Sequence, residues 1–204
     1  MMTQEYLDIL REIKDVAFAT VDEKGMPQIR IIDVMLVEDG RLYFCTARGK
    51  AFYHQLMQSG NVAITGMNGK YQMVRLNGKA EKVPDSQKWM DRIFQENPSM
   101  NAVYPGQSRY VLEPFCISQG TGEFFDLGVS PIYRKNFVLG NAENASQGFY
   151  IADSCIGCEK CKKVCPQHCI VQGKPYEIKQ EHCLHCGLCW ENSPTGSILK
   201  GAPL

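Results

Sequence analysis

The sequence of 204 residues has no excess of either charge, no long hydrophobic run and few cysteines outside its C-terminal part. Lys and Arg together number 22, as do Asp and Glu, so the formal net charge is zero. Nucleic acids and anionic membranes favour a basic excess in their partners, so neither is expected as a partner. No stretch reaches the roughly 20 apolar residues that span a bilayer, so no membrane span is predicted.

The N-terminal residues also lack the unbroken apolar run of a secretion signal. Tyr6, Ile9, Leu10 and Ile13 have amphipathic-helix spacing, with acidic and polar residues between them. We therefore expect a cytoplasmic protein whose thiols stay reduced. In that compartment, a cluster of cysteines indicates metal binding or redox chemistry more often than structural disulfides.

The first two thirds of the chain predict an antiparallel sheet with few helices. Asp39-Gly40 and Asn68-Gly69 are hairpin signals. Helices are predicted over Lys50–Ser59 and from Asp85, a possible cap, to Asn97. The predicted strands are Val16–Val21, Pro27–Glu38, Arg41–Thr46, Val62–Met67, Tyr71–Val83, Tyr110–Ser118 and Gly122–Leu127. This number of strands favours a small barrel.

Eight of the ten cysteines lie in a short C-terminal stretch that begins at Cys155. The polar residues before it predict a linker over 141–147, between a domain of residues 1–140 and a second domain of residues 148–204. Cys155 to Pro166 form C-x2-C-x2-C-x3-C-P, a run that binds iron-sulfur clusters. The pattern returns 28 residues later from Cys183, so the segment is an internal duplication.

In such duplications the fourth cysteine of each run binds the cluster of the other run. One predicted ligand set is Cys183, Cys186, Cys189 and Cys165, and the other is Cys155, Cys158, Cys161 and Ser193. A seryl oxygen is a poorer iron ligand than a thiolate. The second site is therefore open to oxygen ligation, a three-iron cluster, a labile cluster or no cluster. Cys169 is expected beside the complete set, with Ser197 as its counterpart, and is not counted as a ligand.

Two closed zinc sites built from C-x2-C pairs are the alternative for this stretch. Zinc ribbons use two separate pairs, whereas the chain has an overlapping run of three cysteines followed by Cys-Pro. From about residue 147 to 204 the chain resembles the two-cluster bacterial ferredoxin domain. The resemblance implies a small α+β ferredoxin-like domain with one or two 4Fe-4S clusters.

An iron-sulfur module moves single electrons, so its neighbour should accept or deliver them, and a flavin is able to do so. The segments Pro27 to Asp33 and Gly40 to Lys50 resemble the FMN-binding split-barrel family of pyridoxamine 5'-phosphate oxidase. The order of elements is similar over about residues 10 to 127, from FATVDEKGMPQIR through LYFCT and GKAFYHQL to VRLNGKAE. The resemblance implies a mainly β fold, a split β-barrel with a few helices, and a homodimer with FMN at its interface.

The same resemblance implies flavin-binding roles for seven residues. Arg30 would contact the phosphate or ring edge, the backbone of Ile31 and Ile32 would line the ring, Thr46 and Lys50 would hold the phosphate, Arg48 would assist, and Gln72 is a weaker candidate for a hydrogen bond to the ring. Without the resemblance, Arg30 would be read as the solvent-facing member of a strand and Lys50 as a surface lysine.

The sequence therefore predicts a flavin- and iron-sulfur-dependent oxidoreductase that acts on a small molecule and exchanges electrons with an unidentified protein. No counterpart of the family's closing C-terminal stretch follows Phe125 and Asp126, so vitamin B6 oxidation is not expected. The alternative is a non-catalytic electron carrier or redox sensor. A barrel that binds haem or a deazaflavin is a third possibility.

Overall fold

The computed structural model describes residues 3–143 and 148–201, which form two compact units. The first unit consists of residues 3–69, 73–124 and 137–143, and the second of residues 70–72, 125–136 and 148–201. The domain boundaries expected at residues 140 and 148 stay predictions. Residues 144–147 of the predicted linker lie outside the described residues.

A curled antiparallel sheet of eight strands dominates the first part of the chain, as the prediction of a mainly β split barrel requires. The strands are β1 Asp15–Val21, β2 Pro27–Asp33, β3 Leu36–Glu38, β4 Arg41–Ala47, β5 Asn61–Met67, β6 Gln72–Lys82, β7 Leu112–Asp126 and β8 Tyr133–Leu139. Their order in the sheet is β2-β1-β5-β6-β7-β4-β3, and β8 pairs with β7. The hairpins predicted at Asp39-Gly40 and Asn68-Gly69 are confirmed as β3-β4 and β5-β6.

The strand predicted over Pro27–Glu38 is instead two strands. β2 pairs with β1 and ends at Asp33, and β3 begins at Leu36 and pairs with β4. Val34 and Met35 between them are both buried. The amide of Val34 donates to Lys14 O, beside β1, and the amide of Met35 donates to Tyr43 O on β4, so the chain changes its pairing partner between these two residues.

The two strands predicted over Tyr110–Ser118 and Gly122–Leu127 are one strand, β7. The glycines at the point where the two were divided serve close packing within the strand. A Cβ at Gly120 would lie 2.3 Å from the Asn77 carbonyl oxygen, and one at Gly122 would lie 2.1 Å from the Phe137 ring. Glycine in a strand often marks such a close approach.

Four helices of the first unit pack against this sheet: α1 Thr3–Ile13, α2 Ala51–Gln58, α3 Ser86–Glu96 and α4 Met100–Val103. A 3₁₀ helix, Gly106–Val111, leads into β7. The predicted helices over Lys50–Ser59 and Asp85–Asn97 are confirmed as α2 and α3. The capping role predicted for Asp85 is wrong, because its side chain makes no cap hydrogen bond and its backbone is left-handed with φ 54°.

The core of the first unit is built around stacked aromatic rings. Phe18, Phe44 and Phe115 are almost fully buried, and the Phe44 ring lies 4.7 Å from that of Phe18 and 5.6 Å from that of Phe115. Phe52 brings α2 onto this group, with its ring 5.3 Å from Phe18. Buried aromatic pairs add to the stability gained by burial alone, so these rings fix the position of α2 on the sheet.

The second unit repeats a small pattern of strand, cysteine loop, short helix and strand. Its elements are β9 Phe149–Ile151, α5 Lys160–Val164, β10 Ile170–Val171, β11 Glu177–Ile178, α6 Leu188–Glu191 and β12 Ile198–Lys200, with a 3₁₀ helix at Gln180–His182. β9 pairs with β12 and β10 with β11, both antiparallel. The sequence predicts short strands over residues 148–152 and 175–179, directly before the two cysteine runs, and they are confirmed as β9 and β11.

Within the described residues, no helix combines the length and the apolar character that crossing a bilayer requires.

Candidate cofactor sites

The second cysteine run and the last cysteine of the first run enclose one cavity of about 330 Å³, part of which is open to solvent. Cys165, Cys183, Cys186 and Cys189 line it, and we call it the four-cysteine site. Cys165 follows α5 of the first repeat, whereas Cys189 lies on α6 of the second. The folded chain thus brings together the four thiols that the crossover prediction groups.

Cys169 also lines the four-cysteine site. Its Sγ lies 3.5 Å from the Sγ of Cys165, and both residues are buried. A hydrogen bond from Cys169 lowers the pKa of Cys183, whereas burial acts to raise it. A hydrogen bond from the backbone amide of His185 and the positive charge of Arg134 also lower it. The hydrogen bond between the two thiols raises the pKa of Cys169. Since iron binds the thiolate form, the lowered pKa of Cys183 favours ligation by that residue.

The first cysteine run encloses a second cavity of about 330 Å³, also partly open to solvent. Cys155, Cys158, Cys161 and Ser193 line it, and we call it the three-cysteine site. Ser193 follows α6 of the second repeat, so the crossover holds for this site too. The structure brings the predicted second set together, with a hydroxyl where the first set has a thiol.

A group of hydroxyl side chains stands beside the three-cysteine site. Ser197, which is buried, lies 3.1 Å from Ser154 and 2.6 Å from Thr195 between side-chain oxygens. Thr195 and Ser197 line the cavity together with Ser193. Ser193 and Ser197 occupy the places that Cys165 and Cys169 have in the other repeat. This half of the duplication therefore has a pair of hydroxyls where the other half has a pair of thiols.

Among the residues that the structure describes, no three Cys, His, Asp or Glu side chains converge as the ligands of a single metal ion do. The cysteines surround space instead. Thiolates held around a cavity by two short loops form the donor set of an iron-sulfur cluster. The residues of the four-cysteine site therefore fit such a cluster.

The loop between β4 and α2 carries the residues predicted to hold the flavin phosphate. Thr46 is buried at the end of β4, and in the part of the chain that the structure describes its Oγ1 has no hydrogen-bond partner. Lys50 is exposed at the N-cap position of α2. The amides of a first helical turn have no partner within the helix and attract anions. A buried donor, a lysine and a helix N-terminus in one loop fit a phosphate group.

Arg30 is held against the first unit by several contacts. Its guanidinium donates to Thr20 Oγ1 at 2.5 Å and to Gln55 Oε1 at 3.0 Å, and it lies 4.6 Å from the centre of the Phe52 ring. Partial burial lowers the pKa of Arg30. Phe52 lies in the first turn of α2, so this ring contact places Arg30 beside the start of the helix that follows Lys50.

Arg48 has another environment from its neighbours Thr46 and Lys50. It donates to Tyr110 O at 2.8 Å and to the carboxylate of Glu113 at 3.0 Å, and the same carboxylate accepts from Lys82 and Ser86. Burial alone would raise the pKa of Glu113, but the hydrogen bonds from Ser86, Lys82 and Arg48 hold it below its ordinary value. The contacts of Arg48 are therefore those of a residue that ties the loop to β7.

The remaining flavin candidates lie on two strands, Ile31 and Ile32 on β2 and Gln72 at the start of β6. Ile31 is exposed on β2 and Ile32 is half-buried, and β2 lies at one end of the strand order. Gln72, in the second unit, donates to Asp126 Oδ2 at 3.1 Å.

Sequence reasoning missed Thr20, Gln55 and Arg134. Thr20 and Gln55 hold the Arg30 guanidinium, and Arg134 donates to the carbonyl oxygen of Cys183 at 2.8 Å. None lies in a motif. Gln55 lies 25 residues from Arg30 in the sequence, and Arg134 lies 49 residues from Cys183. No local spacing of residues indicates contacts between segments so far apart.

The fold and the two cysteine cavities define a split-barrel flavoprotein joined to a two-cluster ferredoxin domain. The family model described as "Pyridoxamine 5'-phosphate oxidase" matches residues 2–111, more than half of the chain, and the chain belongs to that family. The model described as "4Fe-4S dicluster domain" matches residues 148–194. FMN and 4Fe-4S clusters are the cofactors of this combination and of this chain.

Solved structures share the fold of the barrel. A NimC/NimA family protein from Clostridium acetobutylicum is 22% identical with a TM-score of 0.57, over 67% of this chain and 92% of that chain. A protein from the same organism related to general stress protein 26 is 16% identical with a TM-score of 0.51, over 68% and 94%. A heme binding protein from Mycobacterium smegmatis is 12% identical with a TM-score of 0.52, over 67% and 58%. No curated protein gives a significant match.

Proposed function

We propose that this protein is a cytoplasmic oxidoreductase in which electrons pass between 4Fe-4S clusters and FMN, and a small molecule is reduced or oxidised at the flavin. The observation that supports this most is the gathering of four cysteines from two repeats around one cavity, in the same chain as a barrel of a flavin-binding family. FMN exchanges electrons singly or in pairs, whereas a cluster carries one at a time.

We propose that the four-cysteine site holds one cluster with complete thiolate ligation. Cys165, Cys183, Cys186 and Cys189 would each bind one iron. The lowered pKa of Cys183 supports the thiolate form of that ligand. In the three-cysteine site, Cys155, Cys158 and Cys161 would bind iron, and Ser193 would leave the fourth position to a weaker oxygen ligand.

In the barrel, Thr46 and Lys50 would hold the flavin phosphate at the start of α2. Lys50 would supply charge, and the buried Oγ1 of Thr46 would gain the hydrogen bond that its burial calls for. Arg30 would act at the same end of the helix, at the phosphate or the ring edge, with its guanidinium oriented by Thr20 and Gln55. Backbone at Ile31 and Ile32 would line the ring, and Arg48 and Gln72 are secondary candidates.

We propose a homodimer as the functional unit, with the flavin at its interface. Strand β2 supports this, since Ile29 is 74% exposed and Ile31 is 63% exposed on an edge strand. Exposed aliphatic side chains side by side favour burial against another surface. An unidentified protein would deliver or receive the electrons.

The runner-up is an electron carrier or redox sensor without a substrate of its own. Ser193 is the observation that favours it, because a cluster with one weak ligand can gain or lose an iron and so respond to oxidants. The two functions differ in what the flavin does. A carrier turns over with artificial dyes and partner proteins, whereas an oxidoreductase also turns over with a small molecule.

The test of the cofactor assignment is an absorption spectrum of anaerobically purified protein, with extracted flavin, iron and acid-labile sulfide counted per chain. Flavin with about eight iron atoms supports two clusters, and flavin with about four supports an empty three-cysteine site. Zinc without sulfide, or no flavin after reconstitution, contradicts the proposal.

The phosphate assignment is tested by Lys50→Glu, with Lys88→Glu on α3 as the matched control. Both lysines are exposed on the first unit, and both changes reverse one charge. Repulsion of the phosphate and loss of a charged contact should weaken FMN binding about tenfold or more in Lys50→Glu. Iron content should not change in either variant. Equal flavin affinity in the two variants would remove Lys50 from the site.

A further inference from the structure

Residues 125–136 belong to the second unit, yet they lie outside both family matches, which cover 2–111 and 148–194. Ile132 is buried there. Its carbonyl oxygen accepts from His182 Nδ1 at 2.8 Å, and its amide donates to Gln167 Oε1 at 3.3 Å. Each partner lies within two residues of a proposed cluster ligand. This segment is therefore part of the structure around the four-cysteine site.

Arg134 brings a charge to the same place. It is half-buried, and its guanidinium donates from Nη1 to the carbonyl oxygen of Cys183 at 2.8 Å. The guanidinium carbon lies 5.3 Å from the centre of the Phe125 ring, which supports it from the same segment. A hydrogen bond and a ring contact fix the cation beside a proposed ligand, and its partial burial reduces screening by salt.

The three-cysteine site has a different charged neighbour. Glu159 lines its cavity and accepts a hydrogen bond from Tyr176 at 2.8 Å, which holds the carboxylate near Cys155, Cys158 and Cys161. Glu159 is exposed, and Lys160 and Lys162 flank the ligand Cys161, so this site has charges of both signs nearby.

Reduction of a cluster adds one negative charge to it. A fixed cation stabilises the reduced form more than the oxidised form, so it raises the reduction potential, and an anion lowers it. Hydrogen bonding around the ligands acts in the same way. The charge placed beside Cys183 therefore favours the reduced form of a cluster in the four-cysteine site.

We propose that Arg134 is a positioning residue that raises the reduction potential of the four-cysteine cluster through its contact with Cys183. The inference rests on the ligand assignment of the proposed function. With Arg134 in place, a cluster in the four-cysteine site accepts an electron more readily than it would without that cation. No covalent step is involved, since the cluster gains and releases one electron in each transfer.

The test compares Arg134→Gln, Arg134→Lys and Lys135→Gln in the full-length holoprotein. Lys135 is the adjacent residue and is exposed, so Lys135→Gln removes the same charge from the same strand without the contact to Cys183. Potentials are measured by anaerobic titration followed by absorption and EPR. Repeating the titration with Cys161→Ala, which removes a ligand of the three-cysteine site, assigns the signal.

The expected result is a lower potential of the four-cysteine cluster in Arg134→Gln, a smaller change in Arg134→Lys and none in Lys135→Gln. An unchanged potential in Arg134→Gln overturns the proposal, and so does an equal shift in Lys135→Gln. If Arg134→Gln loses iron, Arg134→Met, which keeps an apolar stem over Phe125, takes its place. If both Arg134→Gln and Arg134→Met lose iron and keep flavin, Arg134 holds the site together and the proposal that it sets the reduction potential is overturned. Absence of iron from the unaltered protein would contradict the proposed function instead.

Discussion

The two halves of the cysteine-rich unit have the same fold and different chemistry. Ile170 and Ile198 occupy matching places, each is 2% exposed, and each pairs with a buried isoleucine of the opposite strand. Each half has a cavity lined by its three closely spaced cysteines. The halves differ where Cys165 and Cys169 of one correspond to Ser193 and Ser197 of the other.

The comparison teaches that packing and ligation are separable in this unit. Ser197 hydrogen bonds to Ser154 and Thr195, so the hydroxyls satisfy one another without a thiol. On the other side, the two thiols lie 3.5 Å apart in a buried pair. The buried core of the unit contains Ile170 and Ile198 together with cysteines of both runs, so the isoleucines are the part of the core that the two halves share.

The largest effect is expected from removing matching ligands. Cys189→Ala should abolish the four-cysteine cluster, with a loss of about four iron atoms per chain. Cys161→Ala should lose fewer, because a site with Ser193 as its fourth position starts from lower occupancy. Iron and sulfide analysis of both variants after anaerobic purification measures this difference. Equal losses of iron would show that the two sites are equally occupied and that the serine at position 193 does not reduce the occupancy of its site.

Ser193→Cys should make the two halves alike. A thiolate replaces a hard oxygen ligand, so iron per chain should rise towards two full clusters and the cluster should survive longer in air. The measurement is iron content together with the decay of visible absorption after exposure to oxygen. Ser154→Cys is the control, since Ser154 belongs to the hydroxyl group but is not at the predicted ligand position. A rise in Ser154→Cys alone would move the fourth ligand away from residue 193.

The packing half of the comparison is tested by Ile170→Ala and Ile198→Ala. Each change should destabilise the unit by about 2 to 5 kcal/mol, since both side chains are equally buried. We expect the two losses to agree within about 1 kcal/mol. Thermal unfolding of the holoprotein is the measurement. A clearly larger loss for one isoleucine would mean that the halves differ in packing as well as in ligands.

How much of this molecule follows from sequence depends on the distance between the residues that interact. The cysteine spacing predicted the membership of both cavities, because three ligands of each set lie within seven residues and the crossover follows from the duplication. The hairpins at Asp39-Gly40 and Asn68-Gly69 were predicted for the same reason. The turn chemistry of these dipeptides is local.

Features that depend on distant partners were not predicted. The strand β7 looked interrupted because the contacts that require Gly120 and Gly122 come from Asn77 and Phe137. The ion pair between Arg48 and Glu113 joins residues 65 positions apart, so no local pattern in the sequence indicates it. Such pairs arise from the tertiary fold and leave no periodic or motif signal in the chain.

The smallest effect is expected from Cys169→Ala, since Cys169 is not one of the four predicted ligands. Iron content at neutral pH should stay the same. The hydrogen bond from Cys169 lowers the pKa of Cys183, and without it the thiolate forms only at higher pH. Because binding of iron requires deprotonated thiols, half-loading during anaerobic reconstitution should move to higher pH in Cys169→Ala. Ser197→Ala, the matching change in the other half, should leave this midpoint of the four-cysteine cluster where it is. A large loss of iron in Cys169→Ala would instead show that Cys169 is a ligand. The two halves would then differ at two ligand positions, Cys165 against Ser193 and Cys169 against Ser197.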